Sequence, residues 1–299
     1  LFRSGRLEAL TAETALTAEE IAHYQAAVGR HMEETATLAP ETAARFSSTL
    51  GDLHFPTRDT LALGRQWGFF LPVVTKGTTG PDGHPLRGGF IPAIRLERRM
   101  FAGGAMERLG EVRLGVETAK TTTIESVERK AGAQGELIFV EVVMEFAQGG
   151  HPVLRERQTI VYLDPGDPVP LPTPVAEAEL PTGDAVEDFT PNEVDLFRFS
   201  AVTFNGHRIH YDQPYATGVE GYPALVVHGP LIASKLLDLA MRTKGLNADR
   251  FSFRARRPAF VNQPLRFIAD AEGDGHQLRA IRADGQVAMT AEVGFTGAS

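Results

Sequence analysis

The stretch HGPLIASKLLDLAMRTKG, residues 228–245, is apolar or small on almost every face. Leu231, Ser234, Leu236, Leu237, Ala240 and Met241 recur at helical spacing, so a helix here must be buried on several sides. Gly245 is placed to stop it. From Phe251 the period changes to two. FSFRARRPAF, LRFIADAE, QLRAIRAD and QVAMTAEVGF read as strands, separated by Asn-Gln-Pro, Gly-Asp-Gly and Asp-Gly turn signals. A helix without a polar face, followed by an antiparallel meander, predicts an α+β unit with the sheet wrapped around the helix.

The same order recurs earlier in weaker form. PETAARFSSTLGD (40–52) sets Phe six residues after Pro, as PNEVDLF (191–197) does. TTTIESVERK, ELIFVEVVMEFA and PVLRERQTIVYL follow as strands, the last two joined by a Gln-Gly-Gly turn. LALGRQWGFFLPVV (61–74) takes the slot of the central helix but is short and stops at Pro72. The segment TPNEVDLFRFSAVTF predicts a helix with Thr190 as N-cap and Pro191 at its first position. Its apolar repeat is Val194, Phe197 and Ala201. Between the copies, DPGDPVPLPTPVAEAELP (164–181) holds six of the nineteen prolines, the composition of an extended linker. The expected division is therefore a degenerate first unit at 1–165, a Pro-rich linker at 166–188 and a second unit at 189–299.

Composition narrows the function. At 299 residues the chain can bury a large core, and with no cysteine it has no disulfide, thiolate metal site or cysteine nucleophile. A net charge of −8 argues against general nucleic-acid binding. No apolar run reaches the length of a membrane span, and LFRSGRLEAL has no signal-peptide core.

The chemistry-bearing stretch is TFNGHRIHYDQPYA, residues 203–216. His210 suits a general base, and Asn205 can orient a water or a carbonyl by hydrogen bonding. Downstream, VVHGPL (226–231) opens the buried helix. There Gly229 permits close approach, and its N–H can polarise a carbonyl oxygen. His207 and His210 have the spacing of a zinc pair, but no third ligand has a compelling position, so no metal is expected. Asp212 reads as a turn residue.

The run FNGHRIHYDQPYATGVEGYPALVVHGPLIAS resembles the hydratase motif of MaoC-like (R)-specific enoyl-CoA hydratases. It is most similar to the branch holding mesaconyl-CoA and itaconyl-CoA hydratases and type-two hydroxyacyl-thioester dehydratases. GPDGHPLRGGFIPAIRLERRMFAGG (80–104) is similar to that branch's first half, so the resemblance covers most of the chain. It implies a double hot-dog fold in which the first unit walls the acyl pocket. It implies a hydro-lyase without cofactor, acting on an acyl-CoA or acyl-carrier-protein thioester. A cytoplasmic homodimer is expected, or a mitochondrial matrix protein in a eukaryote. His210 matches the catalytic histidine and Gly229 the oxyanion glycine. Asn205 stands where the wider family has aspartate; an amide takes no proton, which leaves His210 as the sole shuttle. His207, Arg208, Tyr211 and His228 fall in the motif as substrate-binding positions.

Arg254 and Arg256 are two apart on a strand, with Arg257 adjacent and Arg266 on the next strand. They form a basic island that could hold CoA phosphates, or a solvated outer face. Arg95, Arg98 and Arg99 offer cations for a substrate carboxylate, with none assigned. The expected reaction is hydration of a short branched or dicarboxylic enoyl-CoA. The alternatives are dehydration of 3-hydroxyacyl thioesters in fatty acid synthesis, or a non-catalytic acyl-CoA binder.

Overall fold

The computed structural model describes residues 15–51, 59–132, 135–164, 168 and 170–296. Helix α1 (Ala18–Gln25), strand β1 (His31–Thr37) and helix α2 (Pro40–Leu50) come first. Strands β2 (Arg98–Arg108), β3 (Glu117–Gly132), β4 (Gly135–Gln148) and β5 (His151–Leu163) complete the first half. The second half contains β6 (Ala185–Phe189), α3 (Glu193–Thr203), α4 (Gln213–Gly218) and α5 (Gly229–Lys244). It closes with β7 (Arg250–Ala255), β8 (Leu265–Glu272), β9 (Gly275–Arg282) and β10 (Val287–Gly294). The ten strands form one antiparallel sheet in the order β1-β3-β4-β5-β2-β7-β10-β9-β8-β6. The halves join where β2 pairs with β7, with Met106 opposite Phe251.

Helix α5 lies in the concavity as its sequence demands, with Leu231, Ile232, Leu236, Leu237, Ala240 and Met241 buried. Gly245 caps it in the left-handed region at φ 72°. Among the described residues the first half has no such helix. Between Gly64, itself left-handed, and Phe69 only one 3-10 turn forms, Arg65–Gly68. The concave face of β4, β5 and β2 is therefore left partly uncovered. A cavity of about 1200 Å³ occupies that space, walled by Trp67, Phe70, Phe101, Met144, Phe146 and Ile160.

Three expectations change in detail. The Pro-rich stretch ends sooner than 188, because Ala185–Phe189 forms an edge strand on β8. Helix α3 is capped by Asn192, not Thr190: the Asn192 side chain accepts from the N–H groups of Val194 and Asp195, and Asp195 answers the cap backbone. Its buried residues are Leu196 and Phe199, while Val194 and Phe197 are 63% and 66% exposed. Gly103 and Gly104 are residues of β2, and a Cβ on either would crowd a backbone carbonyl of a neighbouring strand. Among the described residues no helix is long and apolar enough to cross a membrane.

Candidate active site

Phe204 ends α3 in the left-handed region, at φ 49°, and turns the chain into the polar stretch. The Asn205 Oδ1 accepts the His207 N–H at 3.0 Å, which closes a tight turn. Arg208 donates to Asp212 Oδ2 at 3.0 and 2.8 Å and lies 4.0 Å over the Tyr215 ring. Asp212 in turn caps α4 by accepting the Tyr215 N–H. Arg208 is thus a brace within the loop and is absent from the cavity wall, contrary to the substrate-binding role expected of it. Tyr211 borders the cavity and donates its hydroxyl hydrogen to the Gly206 carbonyl at 3.0 Å.

His210 is buried. Its Nδ1 lies 2.7 Å from the Val226 carbonyl oxygen, so Nδ1 carries the hydrogen and Nε2 is left as the acceptor. The His228 ring stacks on it at 3.6 Å and 17°. The His228 Nε2 is 2.9 Å from the Ser200 hydroxyl on α3. Burial pushes His210 down to about 3 and His228 well below the usual imidazole value, so both are neutral at neutral pH. Gly229, next to His228, opens α5 and lines the cavity. Pro230 has no N–H, which leaves the Gly229 and Leu231 donors at this helix start.

The first half supplies a residue that the motif does not contain. The turn at 80–84 docks on the site loop: the Arg208 N–H donates to the Asp82 carbonyl at 2.9 Å, and Arg208 Nη1 to that of Pro81 at 3.0 Å. Gly83 abuts Gly206 so closely that a Cβ on Gly83 would strike the Gly206 carbonyl. The turn carries His84 onto His207, ring centroids 4.3 Å apart. Burial, then Arg99, pushes His84 down to about 2. His207 is edge-on to His210 at 5.6 Å, and its Nε2 is 3.7 Å from Glu220 Oε1. Glu220, also beside Arg98, is held below the usual carboxylate range, chiefly by His207. Among the described residues no group of three or more His, Cys, Asp or Glu is disposed to hold a metal ion.

The basic island divides. Strand β7 stops at Ala255, and the Arg256 and Arg257 N–H groups both donate to the Ala288 carbonyl, two residues against one. Arg256 and Arg257 therefore line the cavity, whereas Arg254 is exposed in the strand between buried Phe253 and half-buried Ala255 and is not part of the wall. Arg266 is bound to Asp188 and Glu177. Of the earlier cations, Arg95 pairs with Glu20 and Arg98 with Glu220, and both Arg98 and Arg99 line the cavity.

The sequence matches the hydroxyacyl-thioester dehydratase type 2 family over residues 64–261. The chain belongs to that family. It is a hydro-lyase of the MaoC-like, double hot-dog kind. It is 44% identical over 234 residues to the mesaconyl-C(4)-CoA hydratase of Chloroflexus aurantiacus, covering 78% of this chain and 82% of that one. Among solved structures, HtdX of Mycobacterium tuberculosis superposes with a TM-score of 0.65 at 19% identity, covering 89% of this chain and all of that one. A second M. tuberculosis protein, described as a double hotdog, gives 0.52 at 14% identity over 89% of this chain and 95% of its own. Glu220, Ser200 and His84 line the same cavity as Asn205, His207, His210 and Gly229. His84 stood in the quoted GPDGHP run, but nothing in a turn 120 residues upstream says where it will dock.

Proposed function

We propose that this enzyme adds water reversibly across C2=C3 of a short, branched, dicarboxylic enoyl-CoA of the mesaconyl-CoA type. The carrying observation is the fixed tautomer of His210: Nδ1 is committed to Val226, and a lone pair remains on Nε2 beside the cavity. In this reading Nε2 takes a proton from the water that attacks C3. The electron pair of C2=C3 moves towards the thioester, and the Gly229 N–H stabilises the enolate oxygen. The reverse path expels water from a 3-hydroxyacyl thioester.

Arg99 favours a carboxylate on the acyl group. It stands on the concave face of β2 and lies against the Tyr162 hydroxyl. Among the described residues no carboxylate is within ion-pair distance of it. Arg256 and Arg257, at the other side of the cavity, suit the phosphates of CoA. The volume of the cavity and its aromatic wall support longer acyl chains as the second reading.

A panel of mesaconyl-, itaconyl-, crotonyl- and long-chain enoyl-CoA separates the two. The expected ranking by kcat/KM puts mesaconyl-CoA first. A long-chain substrate ahead by tenfold or more, roughly 1.4 kcal/mol, would transfer the assignment to fatty-acyl dehydration.

A further inference from the structure

Hydration moves two protons. Water loses one as its oxygen bonds C3, and C2 gains one. His210 offers a single nitrogen for this, because Nδ1 donates to Val226. Asn205 is no substitute, since an amide does not exchange a proton and its Oδ1 already accepts the His207 N–H. The site contains a second imidazole placed for the task. His207 is buried at the cavity wall, with Nε2 within ion-pair distance of Glu220 Oε1. Its Nδ1 has no hydrogen-bond partner among the described residues. We propose that His207, oriented by Glu220, is the acid that delivers the proton to C2.

The inference rests on the hydration reading above. Water adds its oxygen to C3 and gives one hydrogen to His210 Nε2. The C2=C3 pair passes into the enolate, and C2 then takes the hydrogen from His207 Nδ1. His210 is left charged and His207 neutral. Water refilling the cavity returns the surplus proton from His210 to His207. The sum is one water added, with no oxidant or reductant.

The surroundings agree with this division of labour. His207 faces Glu220 from the segment after α4, with Arg98 of β2 beyond it. It faces His84, and behind that Arg99, from the first half. From its own half it faces His210, with His228 stacked behind. His84, His210 and His228 are all held neutral, chiefly by burial. Of the four imidazoles, His207 alone has a carboxylate at ion-pair distance among the described residues. Glu220 is on this account a positioning residue that acts through His207.

The test is the pH dependence of kcat/KM for mesaconyl-CoA in the wild type, Glu220→Gln and His207→Gln. The wild type is expected to show an alkaline limb set by the acid that protonates C2. Removing the neighbouring negative charge in Glu220→Gln should move that limb to lower pH. His207→Gln should lose about a hundredfold in kcat together with the limb. If Glu220→Gln does not fold, an NMR titration of the His207 ring in the wild type decides instead: proton loss in step with the limb supports the proposal, and a ring neutral throughout the active range overturns it. A limb that stays in place in an active Glu220→Gln enzyme overturns this proposal alone. A wild type inactive on every enoyl thioester overturns the hydration reading and the proposal with it.

Discussion

His210, Asn205 and Arg99 each carry a separable consequence. Replacing His210 with Gln removes the base and should lower kcat by about two to four orders of magnitude. Circular dichroism checks that the fold persists, because the ring is stacked on His228 and not exposed on a loop. Asn205→Asp keeps an oxygen for the His207 N–H and should keep the turn, whereas Asn205→Ala frees it and should cost about 1–3 kcal/mol in kcat/KM through the misplaced His207. Arg99→Met should raise KM for mesaconyl-CoA by about 1.5–3 kcal/mol in binding terms, the scale of a charge-assisted contact. Crotonyl-CoA, which has no carboxylate, serves as the control; parallel losses with both substrates would remove Arg99 from recognition. At this scale the sequence was partly legible. Asn205, His207, His210 and Gly229 lie within 25 positions, on a loop and a helix start that can be read in order. Glu220 was hidden because an isolated Glu in a lid-like stretch looks like any solvated residue, and His84 because its placement depends on a docking contact between halves.

Elements were legible where a period ran long enough to count. Helix α5 and strands β4, β5 and β8 fall within a few residues of their apolar patterns. Errors came where tertiary contact decided which face is inside. In α3 the repeat Val194, Phe197, Ala201 is as regular as Leu196, Phe199, yet only the latter pair enters the core, Phe199 against Phe46 of α2. Phe197, Ala201 and Phe204 instead border the cavity. The early end of β7 at Ala255 was illegible for a different reason: a bulge alters which residues share a face without changing the composition. The contact of the 80–84 turn with the site loop yields a prediction of its own. Gly83 has φ +87° and no room for a Cβ against Gly206. Gly83→Ala should displace His84 and lower kcat/KM by about tenfold to a hundredfold. The melting temperature should fall by only a few degrees, because a surface turn and not the sheet is disturbed. Full activity in Gly83→Ala would show that the docked turn does not set the site.

In the whole molecule, the division into two α+β units follows from the repeat and the proline-rich stretch, and the continuous sheet joins them at β2 and β7. Loss of the first central helix turns a core into a cavity, so the degenerate half contributes space, cations and His84. Burying three neutral histidines has a thermodynamic cost at low pH. His84 is held at about 2, His210 at about 3 and His228 well below its ordinary value. Unfolding restores each to about 6.5, so below that pH the unfolded chain binds more protons and stability falls as pH drops. Each group contributes up to about 1.4 kcal/mol per pH unit in this window. Urea titrations between pH 6.5 and 5.5 should therefore report a proton uptake on unfolding that rises towards about three from these groups, with His276, also lowered by burial, adding to it. This window lies above the range where depressed carboxylates such as Glu220 contribute appreciably. A stability that is flat across that window would mean that these imidazoles are not buried in the neutral form.

The most direct measurement follows the enoyl absorbance of mesaconyl-CoA while free thiol is assayed in the same cuvette, with wild type and His210→Gln side by side. The wild type should bleach the enoyl band with no thiol released, and His210→Gln should do so at least about a hundredfold more slowly. Thiol release in step with the bleaching, or a His210→Gln enzyme within threefold of wild type, would contradict water addition by this histidine.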